Sequence, residues 1–382
     1  MRVCFITHTY PPAETAAALY SKNFVSELVK AGIDVVLITA SRDGRKTVEG
    51  LDRLTIYRVP LKMPIALDFF EILVRVMSTL GSVYEKEGFD LVHSEHLFPS
   101  IYSGRFAEKN KLPHVVTIEG VSDVSLYSKA LFQYHKFWLS KIKADIIVPW
   151  SRFLIDDYFL NWGVGEEKFA VIPSGIDLSK FNPHVNGKTL REQFDESKKT
   201  IVSAKPLYYT NALGISYTIR AMKTVSDQYN DCQFIIAGTG RMENFLKRLT
   251  RKLNLEDSIK FMGWVPQSEI PKFYNASDVI VDNFIFRHPG SITVLESLAS
   301  GKPNVLTKIE CIPGEDNIPK DEIAMLSNAR DEDSIAEGIL TLLNDSKLCK
   351  QIGNNAWGFV KKNFDIREVA KRYIGLYEGL VG

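Results

Sequence analysis

Short β-branched runs alternate with longer amphipathic stretches, and this alternation runs through the chain twice. In the first half the runs are Val3–Thr7, Val35–Thr39, Leu91–His93, Val115–Ile118 and Ile146–Val148. Stretches of helical spacing, such as Ala17–Ala31 and Phe69–Lys86, separate them. In the second half the runs are Ile201–Ser203, Phe234–Ala237, Ile259–Met262 and Val279–Val281, with helical patterns at Ile215–Gln228, Met242–Leu253 and Ser291–Ser300. Runs so short and so apolar predict strands covered on both faces, and helix-length connections between them predict parallel pairing. The chain is therefore expected to be α/β, with two doubly wound halves rather than one continuous sheet. The join falls near Ile172-Pro173-Ser174-Gly175-Ile176-Asp177, followed by a polar stretch up to Lys199, because Pro and Gly interrupt regular structure there. Open parallel sheets take ligands at the carboxyl ends of their strands, so two such sheets facing each other would make an interdomain cleft.

Composition narrows the partners. The 382 residues leave room for two domains. With 47 Lys+Arg against 46 Asp+Glu, the formal net charge is +1, which gives no global electrostatic pull toward nucleic acid. Cys4, Cys232, Cys311 and Cys349 are too scattered for a zinc ribbon or a redox dithiol and fit a reducing cytoplasm. The opening Met1–His8 is too short an apolar stretch for a signal-peptide core. The longest membrane-span candidate, Pro64–Gly81, is interrupted by Asp68, Glu71 and Arg75. The segment Tyr127–Lys143 mixes Tyr127, Phe132, Tyr134, Phe137 and Trp138 with Lys129, Lys136, Lys141 and Lys143. It reads either as a helix resting on an anionic membrane surface or as a half-buried helix with a solvated basic face.

Several stretches could carry chemistry. After β-run Val3–Thr7 the chain passes through Pro11-Pro12-Ala13-Glu14-Thr15-Ala16 into a helix. Thr15 is a candidate N-cap, and the backbone N–H groups after it, from Ala16 on, could cradle an anion; a plain capped loop uses the same residues. Gly238-Thr239-Gly240 follows a strand and permits close backbone approach to a ligand, or simply a tight turn. In His288-Pro289-Gly290-Ser291-Ile292-Thr293-Val294-Leu295-Glu296, a glycine loop opens a helix capped by Ser291, whose N–H groups and positive dipole end would meet an anion. Glu296 lies a turn further in among Val294, Leu295 and Leu298, where a carboxylate is costly unless it is paired or holds hydroxyls. His8, His93, Glu95, His96 and Glu119 gather near strand ends, but their spacing matches no metal motif, and no metal is expected.

These residues together resemble the family-4 group of retaining glycosyltransferases, which have the GT-B fold of two Rossmann-like domains. The resemblance rests on Thr7-His8-Thr9-Tyr10-Pro11-Pro12, Val171–Asp177 with Phe181-Asn182-Pro183, Gly238-Thr239-Gly240, Phe261-Met262-Gly263-Trp264-Val265 and Leu295–Pro303. It implies an acceptor-binding domain at 1–175, a nucleotide-sugar-binding domain at 176–364 and a helix at 365–382 that crosses back to the first. The expected reaction moves a sugar from a UDP- or GDP-sugar to a hydroxyl of a glycan, lipid-linked or small-molecule acceptor, by front-face attack with retention. By this resemblance Glu296 takes the ribose hydroxyls, Val265 meets the base through its main chain, and Pro289, Gly290, Ser291, Ile292 and Thr293 surround the diphosphate. Thr15, Ala16 and Gly240 complete the donor site. No metal or other cofactor is implied, and the protein would work in the cytoplasm, with peripheral contact to the inner membrane face.

Four positions depart from the family pattern. His288 replaces the first Glu of the E-x7-E pair, and Glu119 stands where a His is common, so the two residues are expected to have exchanged roles. Lys205 fits the first member of a cationic pair. No Lys fits the second, where Thr210–Leu213 stand after an apparent short insertion. Glu14-Thr15-Ala16 replace a Gly pair. Glu119, Lys205 and His288 are thus the catalytic candidates. The same changes leave room for an impaired GT-B pseudoenzyme that binds nucleotide or a partner, or for a sugar-nucleotide epimerase or coupling enzyme.

Overall fold

Both sets of apolar runs pair into sheets. The computed structural model describes residues 1–13, 15–41, 47–61, 68–119, 136–137, 141–286, 291–308, 312–314 and 319–382. It divides into two compact units: Met1–Gly175 with Pro313–Asp316 and Ile366–Gly382, and Ile176–Ile312 with Asn317–Asp365. His288, Pro289, Gly290 and most of Tyr127–Lys143 lie outside the described residues.

The first unit contains β1 (Arg2–Thr7), α1 (Ala16–Lys30), β2 (Asp34–Ser41), β3 (Thr47–Leu51), β4 (Leu54–Pro60), α2 (Asp68–Glu87), β5 (Leu91–Glu95), α3 (Leu97–Asn110), β6 (His114–Ile118) and β7 (Ile146–Pro149). The strand order is β3-β4-β2-β1-β5-β6-β7, parallel except for β3, which runs antiparallel to β4. Val3, Cys4 and Phe5 are fully buried, as a central strand covered on both faces requires. The chain first winds from β1 to β2 and then resumes on the other side of β1 with β5. The carboxyl ends of β1 and β5 therefore flank the point where the winding reverses, which is the ligand crevice of such sheets.

The second unit contains β8 (Lys199–Ala204), α4 (Tyr209–Gln228), β9 (Cys232–Ala237), α5 (Glu243–Lys252), β10 (Ile259–Gly263), α6 (Ile270–Asn275), β11 (Val279–Asp282), α7 (Ile292–Ala299), β12 (Asn304–Thr307), β13 (Met325–Ser327), α8 (Glu332–Asn344) and α9 (Ser346–Asn363). Its order, β10-β9-β8-β11-β12-β13, is parallel throughout and reverses between β8 and β11. Helix α4 starts at Tyr209, before the expected Ile215, so Thr210–Leu213 lie in its opening turns.

Helix α10 (Ile366–Val381) follows α9 in the chain but packs on α1 of the first unit. It brings two fully buried tyrosines to polar groups of the first sheet. The Tyr377 hydroxyl lies 2.6 Å from His93 Nδ1, and the Tyr373 hydroxyl lies 2.9 Å from Thr117 Oγ1. Thr117 Oγ1 is also 2.8 Å from His93 Nε2, so the imidazole is satisfied at both nitrogens. Burial lowers the His93 pKa to about 3, and the ring is neutral. His93 is therefore a core residue tied to α10. Replacing Tyr377 by Phe should leave one imidazole nitrogen unpaired and cost about 1–3 kcal/mol, read from urea unfolding. A chain ending at residue 364 should lose cooperative unfolding of the first unit altogether; an unchanged midpoint would contradict this account.

Candidate active site

In the second unit, chemistry collects where β8 and β11 end. Lys205 directly follows β8, and its backbone N–H donates to the Ala237 carbonyl at 3.0 Å. Its side chain is buried: Nζ donates to the Asn283 carbonyl at 3.0 Å, lies 3.5 Å from the centre of the Phe284 ring and forms an ion pair with Asp282. The sequence reading identified Lys205 but missed Asp282, which ends a buried apolar strand. Without a ligand, the Lys205 charge is met within the unit by Asp282 and the Asn283 carbonyl.

Helix α7 begins beside this pair. Ser291 occupies the N-cap position with extended backbone, but its hydroxyl makes no capping bond. It lies 2.7 Å from Thr293 Oγ1, and Thr293 Oγ1 in turn donates to Asp282 Oδ2 at 3.3 Å. The expectation of a Ser291 side-chain cap is corrected: the hydroxyl is drawn into the Asp282 network, and among the described residues no side chain caps the helix end. Such an end attracts anions, since its first N–H groups and the helix dipole carry positive partial charge.

Glu296 lies on the same helix and is buried. Gln267 Nε2 donates to its Oε1 at 2.6 Å. Burial raises the Glu296 pKa to about 8; the Gln267 bond opposes that rise and the Asp282 charge adds to it. Gln267 was another residue the sequence reading missed. Val265, two residues before it, is buried, whereas neighbouring Trp264 is exposed. Gly238 and Gly240 have a clear packing role: a Cβ on either would collide with backbone of the Lys205–Leu207 segment. The bare face of Gly240 is therefore taken up by Leu207.

In the first unit, Thr15 caps α1 through its hydroxyl, which accepts from the Ala18 N–H at 3.1 Å, and Ala16 opens the helix. At the carboxyl ends of β1, β5 and β6 the structure brings His8, Glu95, His96 and Glu119 together. Glu95 is 1% exposed and accepts a 2.7 Å bond from Ser21 Oγ. His96 has φ 69° and ψ 161°, a backbone conformation that favours glycine and costs a side-chain-bearing residue about 1–3 kcal/mol. This geometry aims its ring at Glu119, with 3.5 Å between Nε2 and Oε1, while the His8 ring packs edge-on at 4.1 Å between centroids. Burial lowers the His96 pKa to about 4, leaving the ring neutral. Burial raises the pKa of both Glu95 and Glu119 to about 8, and for Glu95 the neighbouring Glu119 adds to the rise.

Two parallel α/β units with groups gathered at their reversal points define a GT-B glycosyltransferase fold. Anabaena HepE, solved in complex with UDP, superposes on this chain with a TM-score of 0.78 at 14% identity, covering 100% of both chains. The model of Glycosyltransferase Family 4 matches residues 17–180, and that of Glycosyl transferases group 1 matches residues 189–358. The chain belongs to this glycosyltransferase family. An uncharacterised glycosyltransferase of Methanocaldococcus jannaschii is 26% identical to it over 99% of this chain and 98% of its own length. The alpha-monoglucosyldiacylglycerol synthase of Streptococcus pneumoniae is 26% identical over 79% of this chain and 70% of its own.

Proposed function

We propose that this glycosyltransferase moves a sugar from a UDP- or GDP-sugar to a hydroxyl acceptor with retention of configuration. The observation that carries the donor assignment is Glu296: a buried carboxyl beside the open end of α7, with a raised pKa and one hydrogen-bond donor. Two vicinal ribose hydroxyls would supply the further donors that favour its ionised form. The diphosphate lies at the α7 terminus among Pro289, Gly290, Ser291, Ile292 and Thr293, and the base meets the main chain at Val265. The helix end and Lys205 stabilise the departing diphosphate without a metal beside it, and the diphosphate accepts the proton of the attacking hydroxyl. Glu119 and His288 act on the reacting sugar, with their expected roles exchanged. Thr15 and Ala16 at the start of α1 approach the donor from the first unit.

The acceptor is a glycan, a lipid-linked sugar or a small molecule. The name of the pneumococcal relative supports a lipid acceptor reached by peripheral contact with a membrane surface. Among the described residues no helix is long and apolar enough to cross a membrane.

Thermal unfolding with UDP, GDP, ADP and CDP tests the donor class, since a ligand held only by the folded chain raises its midpoint according to affinity and concentration. One of UDP or GDP should raise the midpoint, and Glu296→Ala should abolish that shift. No shift with any nucleotide would overturn the assignment. Mass analysis of products from the matching sugar conjugates then separates transfer from epimerisation.

A further inference from the structure

We propose that Glu95, His96 and Glu119 form a binding site for a first-row divalent cation, with Zn2+ as the best-matched ion. The site lies wholly within the first unit and does not depend on the donor assignment, but it shares Glu119 with the proposed transfer, so a bound cation and a Glu119 acting directly on the sugar are alternatives. One ligand atom from each of the three residues lies within 4.8 Å of the others, although the residues come from the ends of two strands. The separation of His96 Nε2 and Glu119 Oε1, 3.5 Å, is telling. Two ligands each about 2.1 Å from a tetrahedral ion sit about 3.4 Å apart, so this spacing fits a shared cation.

The hydrogen-bond inventory points the same way. The two side chains are 23% and 16% exposed, but the His96 Nε2 and Glu119 Oε1 atoms themselves are shielded from solvent, and among the described residues neither makes a hydrogen bond. Buried polar atoms are ordinarily paired, and two facing orphans at one place call for a missing partner. A bridging cation satisfies both at once. An imidazole nitrogen and two carboxyl groups are together a donor set that can balance a charge of +2 once ligated. One imidazole with two carboxylates suits zinc, cobalt or manganese better than magnesium, which favours an all-oxygen shell.

The surroundings hold the ligands in place. Ser21 Oγ donates to Glu95 Oε2 at 2.7 Å, which orients that carboxylate from behind. The His8 ring sets the plane of the His96 ring by edge contact. The strained backbone of His96 directs the imidazole inward. Three protein ligands also leave a coordination position open for water or a hydroxyl-bearing molecule, as in catalytic zinc sites.

The full chain, stripped with chelator and free of nucleotide, should bind one equivalent of Zn2+ in calorimetry. Glu119→Gln and His96→Gln should each weaken that binding by more than about 100-fold, and Ser21→Ala by about 10-fold. His184→Ala, at an exposed histidine, should bind as wild type. Co2+ loaded into the wild-type chain should show visible d–d bands of a nitrogen/oxygen site, a readout that does not depend on how well the variants fold. No saturable Zn2+ uptake, uptake unchanged in Glu119→Gln, or uptake lost only in His184→Ala would overturn the site. None of these outcomes bears on nucleotide binding, which is measured separately.

Discussion

Replacing Glu296 by glutamine should make the protein more stable at alkaline pH while weakening its hold on nucleotide. In the folded chain the Glu296 pKa is raised from the ordinary 4.5 to about 8. Between those values the unfolded chain has already released the proton that the folded chain keeps, so stability falls as pH rises through this window. The penalty is complete above about pH 8 and absent below about pH 4.5. Glutamine keeps the shape and can still accept the Gln267 bond but carries no charge to desolvate. The variant should therefore gain about 2–4 kcal/mol over wild type at pH 9 and almost nothing at pH 4. Urea unfolding across that range measures the gain, and parallel profiles for the two proteins would show that the carboxyl carries no such burden. The same variant should lose most nucleotide-induced stabilisation, because an amide offers hydroxyls a weaker acceptor than a carboxylate. Stability and binding would then move in opposite directions at one residue, as expected where a site is kept at the expense of the fold.

The second large effect is expected at the Lys205–Asp282 pair. Both side chains are buried, so removing either partner strands a charge away from water. Lys205→Met and Asp282→Asn should each destabilise the nucleotide-free protein by about 3–5 kcal/mol. Their responses to nucleotide should diverge. Without Lys205, the α7 end is left facing the Asp282 carboxylate, so a diphosphate should bind poorly and turnover should fall by about 100-fold or more. Without the Asp282 charge, Lys205 needs an anion, and a nucleoside diphosphate should raise the melting midpoint of Asp282→Asn further than that of wild type. Equal nucleotide shifts in the two variants would mean that the pair only supports the fold and never exchanges partners with phosphate.

How far the sequence could be read depends on which part of each element faces apolar surroundings. Val3–Thr7 and Phe234–Ala237 are continuous apolar runs because both faces of a central parallel strand are covered, and such runs need no partner to be recognised. The β3–β4 hairpin escaped notice because β3 is an exposed edge: Val48 and Leu51 face solvent, and the run carries no apolar pattern. Strand β12 is as long as β7 and β11, but Asn304 and Thr307 leave only Val305-Leu306 as an apolar run, and in β13 Ser327 leaves only Met325-Leu326. In the site, the apolar neighbours of Glu296 revealed its burial. Nothing near Lys205 in sequence announces Asp282, which arrives from a different strand. Glu95, His96 and Glu119 show the same limit, since a ligand set assembled from strand ends has no fixed spacing. The Ser291 cap failed for a further reason: a competing hydroxyl, Thr293, stands two residues away, and a propensity cannot weigh one acceptor against another.

Because α10 completes the first unit from the far end of the chain, the order of synthesis runs against the order of the fold. The ribosome delivers the whole first sheet early, yet Tyr373 and Tyr377 emerge only after the second unit. Until then His93 Nδ1 and Thr117 lack the tyrosine hydroxyls they bond in the finished fold, and the face of α1 that meets α10 is uncovered. The intervening unit has its whole sheet in hand before α10 is made, so it can become structured first, reversing the usual N-terminal lead of nascent multidomain chains. A chain interrupted before Ile366 would thus have an unfinished first unit, marked for chaperones or proteases by damage far from that unit in sequence.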